Sequence, residues 1–486
     1  MSLPIAESRI FRIVRLGAKL SITMSSITRR TFLSVAAGAA SAPIFTSLSG
    51  AAETDIAIVG AGAAGIAAAR RIVAAGKRVV ILEAADRVGG RCITDTAIFG
   101  APYDAGAHWL HVPESNPVAR LVTRTGLDIY PAPPGQKVRI GRRNARESEL
   151  EQFFSVIARG KRAIEDAARG KTDISCAQAM PKDLGEWRPS VEFYLGPFGC
   201  GKDFAELSVV DWARSNERDV DAYCRQGFGA LLAKLAEGLP VQLSTPVTKI
   251  DMSRPGVTVE TGKGSLAARA LIVTASTNAL LGGKMMFTPE MPKRQLDALN
   301  RLKLGSYERI ALELPGNPLG LARDDLVFEK AEGKNTAALL GNVGGSDLSY
   351  VDVAGSFGRD LAAKGTREMT AFALEWIEKL FGTDAKKAVK RSHATQWAFS
   401  PWVQGGFSAA SVGGQPSRRI LMEPVRERMF FAGEAAHEQL WGTVGGAWES
   451  GERAADAALK IVSPPPLIVE LSPEAMFPKP PPTVEN

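Results

Sequence analysis

The chain has 486 residues, 45% of them hydrophobic and 23% charged, the balance of a soluble globular protein too long for a single core. Its formal charge of +7 is concentrated at the start, where residues 1–50 hold Arg9, Arg12, Arg15, Lys19, Arg29 and Arg30 against Glu7 and leave 53 basic and 51 acidic residues in the remainder. With so even a balance and no basic stripe interleaved with aromatics, a nucleic-acid partner is excluded.

The first element is a targeting segment. Ser26-Ile27-Thr28-Arg29-Arg30-Thr31-Phe32-Leu33 is a twin-arginine pattern, followed by a weakly apolar stretch from Phe32 to Leu48 and small residues Ser49-Gly50-Ala51-Ala52 suited to cleavage. Residues 1–52 therefore read as a signal that carries a folded protein to the periplasm or beyond, with Met24 as an alternative start. The stretch is short, rich in Ala, Ser and Gly, and broken by Pro43, so no stable membrane span is expected in the mature form.

The next elements form a βαβ unit. An apolar run, Ile56-Ala57-Ile58-Val59, leads into Gly60-Ala61-Gly62-Ala63-Ala64-Gly65, then a small-residue helix, then Val79-Val80-Ile81-Leu82 ending at Glu83. Gly60 permits the tight turn, Gly62 admits a pyrophosphate to the backbone, and Gly65 lets helix and strand pack closely. The helix N-terminus, including Ala63 and Ala64, faces the phosphates, and Glu83 with Ala84 behind it is placed for ribose hydroxyls. Asp86-Arg87-Val88-Gly89-Gly90-Arg91 follows directly. A nicotinamide site has no need of this second glycine pair. A flavin adenine dinucleotide (FAD) does, because its pyrophosphate and ribityl chain run past the first turn. Gly89 and Gly90 let the backbone pass close, and Arg87 or Arg91 offsets phosphate charge.

The rest of the chain divides into pieces. Residues 111–226 look mainly helical, with a helix over Glu147–Ala168. A second flavin piece, 227–279, holds a helix over Ala230–Glu237 and short strands Val241–Leu243, Val257–Glu260 and Leu271–Thr274. Within it, Val247 is placed to line the adenine. Residues 280–395 mix strands such as Arg309–Leu314 with a helix near Thr366–Leu380. A third piece, 396–462, has a strand at Phe430-Phe431, a Gly-Glu turn and a long helix. The expected fold class is α/β: a Rossmann-like FAD-binding domain of discontinuous segments (53–110, 227–279, 396–462) with an inserted α+β substrate domain (111–226 and 280–395). The tail 463–486 is proline-rich and reads as extended. Cys92, Cys176, Cys200 and Cys224 show no Cys-x-x-Cys spacing. Free buried thiols are expected, although an oxidising compartment would permit a Cys200–Cys224 pair. His108 and His111 lie three apart without a third ligand, so no metal is expected.

Three further segments complete a pattern: Phe431-Ala432-Gly433-Glu434, Gly442-Thr443-Val444-Gly445-Gly446-Ala447 and Ser450-Gly451-Glu452-Arg453-Ala454-Ala455. With Gly60–Gly65 and Arg87–Arg91, they make the chain resemble the flavin-containing amine oxidases, densely over the three flavin pieces and thinly over the insertions. The physics of these segments agrees. Glu434, after a strand-end glycine, can bond ribityl hydroxyls. Val444 and Gly445 open a helix whose positive end would stabilise charge on a reduced flavin.

The resemblance extends to particular residues. Gly106-Ala107-His108-Trp109 is similar to the family's Gly-Ala-x-Trp segment beside the flavin ring, although Trp109 reads equally as a core residue. Trp397 with Gly405-Gly406-Phe407 is similar to the family's Trp…Gly-Gly segment. Monoamine oxidases carry a flavin-linked cysteine at the position aligned with Phe407, so a noncovalent flavin is implied here. Their two aromatic rings that frame the amine align with Ser408 and Thr443, so that cage is absent; Trp402, Trp441 or Phe407 would have to supply another wall. Leu304-Gly305-Ser306-Tyr307-Glu308-Arg309 matches a segment that normally ends in a lysine, which holds a water near flavin N5 and assists reaction with oxygen. Arg309 either takes over that charge with a planar head or is a surface arginine on a strand. The carboxylate-binding arginine of amino-acid oxidases has no counterpart at Gly106–Trp109, which favours an amine over an amino acid.

These readings imply oxidation of a small-molecule amine to an imine, hydrolysis to a carbonyl compound plus ammonia or a smaller amine, and electron transfer to oxygen, giving hydrogen peroxide, or to another acceptor. Two alternatives stand beside it: a flavin-dependent desaturase or oxidase acting on carbon–carbon bonds, and a non-catalytic flavin-binding protein.

Overall fold

The computed structural model describes residues 54–215 and 220–463. The twin-arginine segment, its cleavage region and the proline-rich tail beyond Ser463 lie outside the described residues.

Two sheets organise the described chain. The first has eight strands in the spatial order Val241–Gln242, Val79–Leu82 (β2), Thr54–Val59 (β1), Gly264–Val273, Val257–Thr261, Val247–Asp251 and Met286–Thr288, with Met429–Phe431 also pairing to Gly264–Val273. The Gly264–Val273 strand serves two partners. Its C-terminal half runs parallel to β1, with Ile56 beside Ala270, and its N-terminal half pairs antiparallel with Val257–Thr261. Ile56, Ile58, Ile81, Ala270 and Ile272 are buried among small helix residues. Such near-continuous apolar runs are the signature of parallel strands covered on both faces.

The helix after β1, Ala63–Ala74 (α1), packs on this sheet and on the C-terminal helix Val444–Val462. Glycine decides the distance at both contacts. A Cβ on Gly65 would lie 1.9 Å from the Gly60 carbonyl oxygen, and one on Gly451 would lie 2.1 Å from the Ala64 carbonyl oxygen. Gly65 thus closes helix onto strand as the motif predicts.

The second sheet has seven strands: Arg391–Ala394, Tyr307–Glu313, Leu348–Ala354, Ala338–Gly341, Asp325–Glu329, Lys137–Ile140 and Arg143–Asn144. Its concealed face packs against the helix Thr366–Phe381 through Ile310, Leu312, Val351, Met369 and Trp376. Residues 111–226 are less helical than expected. The helix Glu147–Ala168 forms as read, but Lys137–Ile140 and Arg143–Asn144 join the second sheet, and Ile129–Pro131 and Asp221–Cys224 join Leu110–His111 in a small third one. These strands are too short for alternation to reveal them. Met286–Thr288, within 280–395, adds to the first sheet instead of the second.

All four cysteines are buried and free, so no Cys200–Cys224 bond forms. Among the described residues, no helix is long and apolar enough to cross a membrane, and no cluster of three His, Cys, Asp or Glu could hold a metal.

Candidate active site

One cavity of about 970 Å³ runs between the two sheets, and nearly every residue expected to hold the cofactor lies on its wall. At one end the wall is largely backbone. Gly60 turns the chain with φ +101° at the end of β1. Gly62 is the N-cap of α1 and offers no side chain to its first amides, which therefore open on the cavity as an anion site. Gly62 also bridges to Gly89, and a Cβ on Gly90 would approach the Gly62 Cα to 3.1 Å. The two glycine loops thus share a crevice narrow enough only for backbone. Glu83 is buried; its carboxylate accepts from the Ala61 amide at 2.6 Å and the Ala85 amide at 2.8 Å, which fixes it at the cavity edge beside Ala84. Val247 lines this end too. Arg87 donates to the carbonyls of Val88 and Gly90, so it shapes the loop as well as lining the cavity.

The other end gathers Gly106, Ala107, His108, Trp109, Arg309, Trp397, Gly433, Glu434, Thr443 and Val444. Trp109 is half-buried and does both things expected of it, lining the cavity and packing on Tyr223 at 5.0 Å. His108 donates or accepts at Asp104 over 2.7 Å and stacks on Tyr223. Trp397 is pinned twice: its indole donates to the Ala105 carbonyl at 2.8 Å, and its amide donates to Glu308 at 2.8 Å. Glu308 is wholly buried and also accepts from Ala398 and Thr395. Burial raises its pKa against those donors. Thr443 caps the C-terminal helix by accepting from the Gly446 amide at 2.9 Å, and this second helix N-terminus opens on the same cavity.

Glu434 differs from its expected role. Its oxygens accept from Arg91 at 2.8 Å, from the Ser408 hydroxyl at 2.6 Å and amide at 3.1 Å, and from the Gly442 amide at 2.9 Å. Burial alone would raise its pKa, but Arg91 and the Ser408 hydroxyl outweigh that and hold it below the ordinary carboxylate range. Its place is to fix Arg91 and the loops beside the cavity, since four donors already fill its acceptor positions.

One expected position is corrected, and one pair of alternatives is decided. Ser408, assigned to a missing cage ring, is not on the wall. It is fully buried beneath Glu434 and within 3.2 Å of Arg418, while Phe407 faces the cavity. Extended chain points neighbouring side chains to opposite sides, so a one-residue slip exchanges inside for outside. Arg309 is not a surface arginine. It is 3% exposed, pairs with Asp352 through two donors at 2.9 and 3.0 Å, donates to the carbonyls of Asp104 and Gly106, and lies over the Tyr350 ring at 4.5 Å. Burial opposes its charge, but Asp352 prevails and raises its pKa. Trp441 lines the cavity from a buried position, and Trp402 stands half-exposed at its rim.

Sequence reasoning missed Tyr194, Phe198 and Tyr307 on the wall. Tyr307 had a signal: it lies two residues before Arg309 on one strand, hence on the same face. Tyr194 and Phe198 had none, because they sit in an irregular helical turn of the insertion.

A family profile described as flavin containing amine oxidoreductase matches residues 63–459. The chain belongs to this family. It is 26% identical over 435 residues to human lysine-specific histone demethylase 2, covering 82% of this chain but only 53% of the demethylase. It is 27% identical over 456 residues to polyamine oxidase 4 of Oryza sativa subsp. japonica, covering 84% of this chain and 89% of the oxidase. The chain thus spans about half the length of the demethylases it matches. Among solved structures, cyclohexylamine oxidase from Brevibacterium oxydans superposes with a TM-score of 0.71 at 22% identity, over 84% of this chain and 99% of the other. Putrescine oxidase bound to putrescine gives 0.71 at 20% identity with the same coverage. These two likenesses concern the fold.

Proposed function

We propose that the protein is a noncovalent FAD enzyme that oxidises an amine to an imine, which water hydrolyses to a carbonyl compound and ammonia or a smaller amine. The observation that carries this reading is one cavity joining the glycine crevice and Glu83 to the aromatic wall, with a helix N-terminus at each end. The residues fit the cofactor. Gly62 and Gly90 pack backbone to backbone, which leaves the first amides of α1 uncovered on the cavity for a phosphate, and Glu83 is held where a ribose would lie. Bound there, the flavin supplies the hydride acceptor. The chain supplies the rest. Gly62, Ala63 and Ala64 present the amides of α1 to pyrophosphate. Trp397 and Gly106 hold the flat end in register, and the amides of Val444 and Gly445 favour negative charge beside it. The aromatic wall desolvates the amine and orients its α-carbon.

Anaerobic addition of an amine panel to the purified yellow protein should bleach the flavin, and air should restore it slowly with release of peroxide. A folded protein that bleaches with no amine would end this reading. No cysteine stands at residues 405–408, so acid precipitation should leave all the flavin in the supernatant. For the acceptor, Arg309 is the pertinent residue: clamped by Asp352, it has little freedom to hold a mobile water, which supports slow reaction with oxygen and an acceptor other than oxygen. Export by the twin-arginine route is part of the proposal, supported by Ser26–Leu33. A reporter fused to residues 1–55 should reach the periplasm, and cytoplasmic retention would refute that part.

A further inference from the structure

We propose that this site selects a monoamine whose organic group is uncharged and apolar, and that Tyr307 and Phe407 are the rings that select it. The proposal rests on the amine-oxidation reading and narrows it.

The first observation is a continuous aromatic wall. Phe407 lies 5.8 Å from Tyr307, Tyr307 lies 6.1 Å from Phe198, and Phe198 stacks on Tyr194 at 6.3 Å; all four line the cavity. Phe407 is fixed from two sides. Cβ atoms built on Gly442 and Gly201 would lie 3.2 and 3.5 Å from its ring, so backbone lies close on both sides and a side chain at Gly442 would crowd it. Tyr307 is fixed through its hydroxyl, which donates to Asp352 at 3.0 Å, and Asp352 is itself clamped by Arg309. The hydroxyl is thereby taken up inside the protein, and the ring is what remains for a ligand. Arg309 and Asp352 act as positioning residues for that ring.

The second observation is charge. Among the described residues the carboxylates on the cavity wall are Glu83, Glu165, Asp221 and Glu434. Glu83 is held by two backbone amides and Glu434 by four donors. Asp221 pairs with His111 at 2.6 Å, and Glu165 is exposed on the same helix as Lys161, which also lines the cavity. Three of the four are thus already engaged and only the exposed Glu165 is not, while the Asp352 carboxylate that holds Tyr307 is spent on Arg309 and the tyrosine hydroxyl. Desolvating a further cation against this wall is unfavourable, and burying an aryl or alkyl group on it is favourable. The site therefore departs from a diamine or polyamine site.

The test uses the purified full chain with its flavin. Bleaching without oxygen is followed at several concentrations of benzylamine, hexylamine, putrescine and spermidine, giving a rate and an apparent Kd for each. Benzylamine and hexylamine are expected to exceed putrescine and spermidine in rate over Kd by about tenfold or more. Tyr307→Leu and Phe407→Leu are expected to lower the benzylamine value about fivefold and the hexylamine value less, because only the aryl group loses ring-to-ring contact. Retention of the bound-flavin spectrum checks that each variant folds, and the wild-type panel decides the question where one does not. Putrescine or spermidine matching or exceeding the monoamines overturns the proposal while leaving amine oxidation standing. Equal losses for benzylamine and hexylamine overturn the role of the two rings. Bleaching by none of the four overturns the underlying reading as well.

Discussion

Between Val59 and Arg91 the cavity wall is mostly backbone from one stretch of chain, whereas around Phe407 it is mostly side chain brought from points as distant as Tyr194 and Trp441. The difference is instructive. Backbone amides and carbonyls cannot be substituted, so the first region is protected only by the glycines that let the chain pass. Aromatic side chains can be exchanged one at a time, so the second region is free to change preference while the first keeps the cofactor. On this contrast, substitutions in the crevice remove all function, and substitutions at the wall re-rank substrates.

The sharpest break falls on the crevice. In Gly65→Val, the new Cβ would meet the Gly60 carbonyl oxygen at 1.9 Å, and backbone cannot yield as a side chain does. No yellow, soluble protein is expected, by absorbance after purification. A stable holoprotein would mean that helix and strand can separate and that the crevice is not rigid. Next in size is Glu434→Gln, which lies between the two regions. It leaves Arg91 facing a neutral amide and removes the charge that Ser408 and Gly442 answer. A loss of about 3–5 kcal/mol is expected from denaturant unfolding at neutral pH. The sign can be checked separately: because the Glu434 carboxyl is held below its ordinary value, its contribution is present above that value and disappears as the solution is acidified. Wild type and variant should therefore converge in stability at low pH. An unchanged gap at every pH would show that the glutamate acts by shape alone.

Arg309→Lys addresses the wall. A lysine cannot reproduce two donors to Asp352 together with donation to the carbonyls of Asp104 and Gly106. A freer ammonium group should restore the arrangement that the family resemblance associates with oxygen. Reoxidation of the reduced flavin is expected to quicken by about tenfold, or ~1.4 kcal/mol in barrier, in stopped-flow absorbance. An unchanged rate removes Arg309 from any account of the acceptor.

The same contrast governs what could be read beforehand. The βαβ unit was legible because its signal is local: two apolar strands, three glycines at fixed spacing and an acid at the strand end each have one physical meaning. The helix Glu147–Ala168 was legible from its length and period. Arg309 was found as a residue but not as a contact, because Asp352 lies on the neighbouring strand and strand pairing is not written in either segment alone. Phe407 was named as a possible wall residue and lines the cavity, but the burial of Ser408 was not legible, because its partners Glu434 and Arg418 come from distant segments. Tyr194 and Phe198 were invisible because an irregular turn has no period from which to tell an inward face.

The smallest effect lies behind the wall, at Lys202. This residue is buried, donates to the Ala409 carbonyl at 2.7 Å and has Glu206, Arg418, Asp211 and Cys200 around it. Burial, reinforced by Arg418, prevails over the nearby acids and lowers its pKa to about 8. Because the folded value lies below the ordinary one, the unfolded chain holds the extra proton between the two. The penalty for charging Lys202 is thus full below pH 8, fades as pH rises and is gone above the ordinary lysine range. Lys202→Met removes that penalty but leaves the Ala409 carbonyl without its donor, which costs about 1–3 kcal/mol. The two terms oppose, so the variant is expected within about 1 kcal/mol of wild type at neutral pH and progressively less stable than wild type as pH rises past 9. Melting temperatures of both proteins across this range decide it. A constant difference would show that Lys202 stays charged in the fold, held by Asp211 and Glu206, and that the ground behind Phe407 is more polar than its burial suggests.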